Sequence, residues 1–132
     1  MKIRELAKSD YNQVIELWTK SLSNKFDNEI NTDHVSDPSS ITLVSVDNNT
    51  ITGVASLYII KKLTRTLGLI EDVAVNENYR GKGIGKKLVE KLIGIATEKK
   101  CDKTVLNSSE QNSEFYKKIG FEINEIQMII RN

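Results

Sequence analysis

Arg80-Gly81-Lys82-Gly83-Ile84-Gly85 places three glycines within five residues, directly after an apolar run and directly before a helical pattern. Glycine lets the backbone approach a ligand closely. A helix N-terminus adds unpaired N–H groups and a favourable field for an anion. Together these read as a backbone cradle for a pyrophosphate. Spacing excludes two common cradles. A Walker loop needs four residues between its first glycine and Gly-Lys, then Ser or Thr; here Gly81 and Gly85 are separated by three, and Lys87 follows Lys86. A dinucleotide fingerprint needs Gly-x-Gly-x-x-Gly, and this loop reads Gly-x-Gly-x-Gly.

Glu71 and Asp72 are adjacent carboxylates inside the apolar run that leads to this loop. A strand buried on both faces carries two charges only for a reason. An apolar setting raises the pKa of Glu71 and suits it to act as a general base, directly or through water; the alternative is a structural charge paired with a lysine. Asp72 is expected on the opposite face, in a capping or pairing role. Tyr116 could give a proton to a leaving group without itself being charged, or could be a core tyrosine at helical spacing from Asn112 and Ile119. Cys101 reads as a packed thiol. His34 reads as a solvated loop histidine or as a lining of an acceptor pocket. Lys82, Lys86 and Lys87, and the Lys61, Lys62 and Arg65 cluster, could reach phosphates or could simply be solvated.

These residues need positioning elements, and periodicity supplies them. Residues 2–8 read as a strand. Asp10 and Gln13 resemble a variant capping box in front of a helix carrying Tyr11, Val14, Ile15, Trp18 and Leu22. A short helix is expected near residues 27–31, with Pro38 in the following loop. Strands are expected at 41–46 and 51–60, joined by a hairpin turn at Asp47-Asn48-Asn49-Thr50. Another is expected at 67–75. A helix over 83–99 follows the glycine loop, its stripe being Ile84, Leu88, Leu92, Ile95 and Ala96. The strand at 103–108 comes after a crossover helix, so it pairs parallel to 67–75. A helix over 112–119 ends at Gly120. Residues 121–123 and 125–130 read as a closing hairpin. The fold class is α/β (α+β), a mixed sheet of about six to seven strands flanked by about four helices.

Composition bounds the rest. The chain has 132 residues, 39% hydrophobic and 28% charged, with net charge +1. That size and balance suit a single globular domain over 1–132. The near-zero charge argues against nucleic acid or an anionic membrane as partner. One cysteine allows no internal disulfide, and the N-terminus has no apolar signal core, so a cytoplasmic location is expected. One histidine and one cysteine leave no basis for a structural zinc site, and no metal is expected.

Arg80-x-x-Gly83-x-Gly85, followed by Asn112-Ser113-Glu114-Phe115-Tyr116 and Gly120-Phe121, resembles the two signatures of the GNAT N-acetyltransferase superfamily. Within it, Leu69-Ile70-Glu71-Asp72-Val73, Tyr79-Arg80-Gly81-Lys82-Gly83, Cys101-Asp102-Lys103 and residues 106–116 resemble the glucosamine-6-phosphate N-acetyltransferases. The resemblance covers the second half of the chain. It implies the GNAT fold, with splayed parallel strands at the cofactor cleft, acetyl-CoA as co-substrate and a small-molecule primary amine as acceptor. It also implies that backbone N–H groups of Arg80, Gly81, Lys82, Gly83, Ile84, Gly85 and Lys86 hold the pyrophosphate. Val73, Ala74 and Val75 would meet the pantetheine arm, with Asn112 on the other wall, Glu71 as base and Tyr116 as acid. The family has Asp then Cys where this chain has Asn107 and Ser108. Asn107, expected beside the amine, accepts a hydrogen bond without supplying charge. Other acceptors, such as a polyamine, an amino acid, a peptide N-terminus or a drug amine, stay open. So does a degenerate acetyl-CoA-binding sensor or partner module. Several members pair C-terminal strands as dimers, and the apolar stretch 126–130 would be an exposed sheet edge in a monomer.

Overall fold

The computed structural model describes residues 1–22 and 31–132. In chain order they form β1 (Lys2–Glu5), α1 (Tyr11–Ser21), α2 (Thr32–Ser36), β2 (Ser40–Asp47), β3 (Thr50–Lys61), β4 (Thr66–Val75), α3 (Ile84–Glu98), β5 (Lys103–Leu106) and α4 (Glu110–Ile119). Short 3-10 turns at Lys8–Asp10 and Glu77–Tyr79 lead toward α1 and the glycine loop. The sheet order is β1-β2-β3-β4-β5, antiparallel except for the β4–β5 pair.

The β2–β3 turn forms where the sequence predicts it. Asn48 and Asn49 both take positive φ, 48° and 66°, the backbone a two-residue hairpin of this twist requires. Gln13 does not close a capping box. It reaches this hairpin instead: the Ile51 N–H donates to its Oε1 at 2.9 Å, and its Nε2 donates to the Asn49 carbonyl at 3.3 Å. Asp10 makes no side-chain cap on α1. Its buried carboxylate accepts from Arg4 at 2.7 and 2.9 Å and from the Ala7 N–H at 2.7 Å. The Arg4 hydrogen bonds hold its pKa below the usual carboxylate range. The first strand thus stops at Glu5, because Ala7 and Asp10 draw the chain into a turn.

Two apolar cores lie on opposite faces of the sheet. On one, Leu88 and Leu92 of α3 pack with Leu43, Leu57 and Ile70. Gly53 permits this closeness, since a Cβ there would stand 2.8 Å from Ile84 Cγ2. On the other, Val14 and Leu17 of α1 pack with Val44, Val54 and Ala74.

The helix expected near residues 27–31 lies outside the described residues but for Asn31, which is the N-cap of a short helix at Thr32–Ser36. One expectation needs correction: among the described residues the sheet has five strands rather than six to seven. Residues 121–130 form no strand, and Ile123, Ile126, Met128, Ile129 and Ile130 are exposed. Alternating apolar residues become a strand only beside a partner that takes their backbone hydrogen bonds, and nothing among the described residues pairs with them as a strand.

Candidate functional site

β4 carries the irregularity that shapes the site. Val54 pairs with Ala74 and Ser56 with Glu71, so Asp72 and Val73 together oppose Ala55. This is a β-bulge. Asp72 takes the left-handed backbone, φ 56°, which Asp tolerates better than most side chains. The Trp18 indole N–H donates to the Asp72 carbonyl at 2.9 Å, tying α1 to the bulge.

The parallel ladder stops just before it. Leu67 to Ile70 pair with Lys103 to Leu106. β4 then continues through Val75, while β5 gives way to Asn107 and α4. The two strands therefore part, and the second half of β4, Glu71 to Val75, runs without its parallel neighbour. That is the splay expected of a cofactor cleft. Val73 and Val75 pack toward the α3 core, and Ala74 toward the α1 core.

At the end of β4 the glycine loop turns into α3. Gly81 and Gly83 have φ of 79° and 78°, with no atom within 4 Å of where a Cβ would be. The loop surface is open, and its backbone is one that only glycine adopts without strain. The first intrahelical bond runs from the Lys87 N–H to the Gly83 carbonyl at 3.0 Å. The N–H groups of Ile84, Gly85 and Lys86 therefore point off the helix end. Arg80 folds back, its Nε 3.4 Å from the Val75 carbonyl. Its side chain borders a cleft of about 520 Å³ shared with Gln13, Glu16 and Lys20. Lys82 lies over the Tyr79 ring, 5.1 Å from its centroid, and Lys86 is exposed.

Gly85 draws three elements together. A Cβ there would sit 3.4 Å from both Phe115 Cζ and Val75 Cγ2. The loop, the end of β4 and α4 therefore converge, as the two sequence signatures imply. Ser109 caps α4 by accepting from the Asn112 N–H. At its other end Gly120 (φ 125°) closes the helix, with the Phe121 N–H returning to the Tyr116 carbonyl at 3.1 Å. Tyr116 is half-buried between Phe115 and Phe121, both edge-on, and burial raises its pKa. Asn107, in the turn leading to α4, and Asn112, in its first turn, are both exposed.

Glu71 is half-buried, and burial, then the Asp72 charge, raise its pKa. Asp72 is raised by burial and lowered by His34. The Asp72 charge thus acts on Glu71, and that of His34 on Asp72, and the simple alternation behind the expectation for Asp72 does not hold here. The bulge is the reason, because an extra residue breaks the alternation that would otherwise put neighbours on opposite faces. His34 lies in α2, half-buried, with its ring edge-on to Tyr58 at 5.6 Å. Tyr58 is raised by burial, lowered by a hydrogen bond with Ser56, and raised by Asp72 and Glu71. Sequence reasoning did not single out Tyr58, Ser56 or Thr42. Their one signal was alternating polar positions within apolar strands.

A bulged β4, a parted parallel pair and an open glycine loop on α3 define an acyl-transferase architecture. The chain belongs to the acetyltransferase (GNAT) family, whose model matches residues 2–121. It is 42% identical over 93 residues to glucosamine 6-phosphate N-acetyltransferase 1 of Dictyostelium discoideum, covering 68% of this chain and 59% of that protein. It is 48% identical over 81 residues to the glucosamine 6-phosphate N-acetyltransferase of Trypanosoma brucei brucei, covering 59% of this chain and 55% of that one. The matched stretch thus spans little more than half the length of these relatives. The crystal structure of glucosamine-6-phosphate N-acetyltransferase from Arabidopsis thaliana superposes with a TM-score of 0.86 at 30% identity, covering 98% of this chain and 97% of that one.

Proposed function

We propose that this protein transfers the acetyl group of acetyl-CoA to the primary amine of a small molecule, with an amino sugar phosphate as the first acceptor to test. The observation that carries the reading is the second half of β4, free of a parallel neighbour, running into an open, positive-φ glycine loop at the head of α3. Its residues fit the co-substrate. Amides from Arg80 to Lys86 would grip the pyrophosphate. Backbone groups of Val73, Ala74 and Val75, left without a parallel neighbour, would pair with the pantetheine amides, with Asn112 opposite.

In the transfer, Glu71 takes a proton from the acceptor ammonium. The freed amine nitrogen attacks the thioester carbonyl carbon, whose oxygen draws on a backbone N–H near Val73. The carbon–sulfur bond breaks, the Tyr116 hydroxyl protonates the departing thiolate, and the second proton on the acylated nitrogen passes to the tyrosinate, which restores the phenol and leaves a neutral amide. Asn107 would hold the amine by one accepted hydrogen bond. Lys61, Lys62 and Arg65, all exposed, offer a grip for an acceptor phosphate.

Incubating the protein with acetyl-CoA and an amine panel headed by glucosamine 6-phosphate, with free thiol monitored, tests the reading. Amine-dependent thiol release supports it. Acetyl-CoA binding with no amine-dependent release would instead support a sensor or partner module. We further propose one cytoplasmic domain spanning 1–132. We also propose a homodimer in which the exposed Ile126, Met128, Ile129 and Ile130 pair with a second copy. Light scattering that shows only monomer at micromolar concentration would reject the dimer.

A further inference from the structure

Thr42 of β2, Ser56 of β3 and Glu71 of β4 stand directly opposite one another across three strands. Cross-strand partners of this kind have Cβ atoms about 5 Å apart on one face. Thr42 and Ser56 are buried, and their hydroxyl oxygens are 2.7 Å apart. His34 Nε2 lies 3.4 Å from Thr42 Oγ1. His34 and Thr42 both line a cavity of about 260 Å³ bounded by Glu5, Leu6 and Asp37. A polar row therefore runs beneath the sheet surface from a histidine at the edge of a second opening to Ser56, the register neighbour of Glu71. A buried hydroxyl pair contributes little to stability compared with apolar groups of the same shape.

We propose that this row is a proton exit, with His34 as its outer end. The inference rests on Glu71 being the base in the reading above. The proton that Glu71 takes from the acceptor passes to Ser56 Oγ. The Ser56 hydroxyl proton moves to Thr42 Oγ1, and the Thr42 proton moves to His34 Nε2. The His34 Nδ1 proton then leaves to water in the cavity. Each group gains one proton and releases one, so Glu71 returns to carboxylate and the ammonium proton reaches solvent. Tyr58 and Asp72 face His34 within the protein, and Glu5 and Asp37 share its cavity. Asp72 and Tyr58 face Glu71. With an acceptor seated against Glu71, the row supplies a route to solvent that does not pass the acceptor.

The test uses His34→Gln, Thr42→Val and their double variant, with Ser56→Ala replacing Thr42→Val should that variant fail to fold. The expected result is a kcat lowered about 100-fold in each single variant, at the low end of what positioned proton transfer contributes. The KM for acetyl-CoA stays unchanged, and the double variant is no slower than the singles. An unchanged kcat in either single variant, or defects that multiply, overturns the proposal. A second measurement needs no turnover. The chain has one histidine, so its imidazole resonances are followed by NMR against pH. Glu71→Gln should move the His34 midpoint in the native background and leave it in place in the Thr42→Val background. The same movement in both, or none in either, overturns the row. Should the native protein acetylate no amine, the proposed function fails and the NMR result still decides the row.

Discussion

Asp72 sits in the left-handed region at the bulge, and replacing it by Gly, Asn and Val separates the forces that hold it there. A Cβ in this backbone costs about 1–2 kcal/mol. Gly removes that cost but loses about 0.5–1 kcal/mol through chain entropy, so Asp72→Gly should leave stability within about 1 kcal/mol of native. Val keeps the Cβ, adds a β-branch and loses the polar side chain that makes Asp tolerable. It should fall about 1–2 kcal/mol below Gly, roughly 4–8 °C in Tm at this chain length. Asn keeps the backbone preference and removes the charge beside Glu71. Glu71 and Asp72 both have raised pKa values in the fold. The folded state therefore binds protons more tightly than the unfolded one, and stability drains away as pH climbs from the ordinary carboxylate range through the raised values. Asp72→Asn should flatten that decline and be at least as stable as native at neutral pH. Urea unfolding followed by Trp18 fluorescence reads all three, since its indole donates to the Asp72 carbonyl and it is the sole tryptophan. A Val variant as stable as the Gly variant would refute the left-handed bulge.

Gly83→Ala puts a Cβ at φ 78° into the open front of the loop; calorimetry should show acetyl-CoA affinity down by tenfold or more, matching at least about 1.4 kcal/mol. Tyr116→Phe should lower kcat about 100-fold with little change in coenzyme affinity, and equal turnover at neutral pH would remove it from the mechanism. Glu71 must be ionised to act as base, so kcat/KM should fall as pH drops through its raised pKa, and Asp72→Asn should shift that limb to lower pH by removing a neighbouring negative charge. Asn107→Asp restores a charge beside the amine, and steady-state assays should show a lower KM for glucosamine 6-phosphate.

Local signals carried much of the fold. The Asn48-Asn49 turn, the α3 stripe and the Gly120 stop all came from short-range chemistry that tertiary contacts did not override. The open loop ahead of α3 was legible because glycine spacing is itself a backbone specification. The surroundings of Glu71 were not. Alternation predicts a side chain's face only in a regular strand, and no residue type announces the bulge at Asp72. His34, Thr42, Ser56 and Tyr58 come from three elements, and only the β2–β3–β4 register brings them together. The tail failed for the opposite reason. Its pattern suits a strand, but a strand is a relation between segments, and the sequence of one segment cannot name its neighbour.

The sheet keeps two cores apart, and that partition has an evolutionary consequence. On the proposed function, the grip on the carrier is anchored through α3 on one side, while α1 and the polar row occupy the other. Changes at Thr42, Ser56 or Tyr58 leave Leu88, Leu92 and Ile84 untouched. A lineage could therefore exchange one acceptor for another on the near face while the handle for its common reagent stayed intact behind it, as a tool keeps its grip when the bit is swapped.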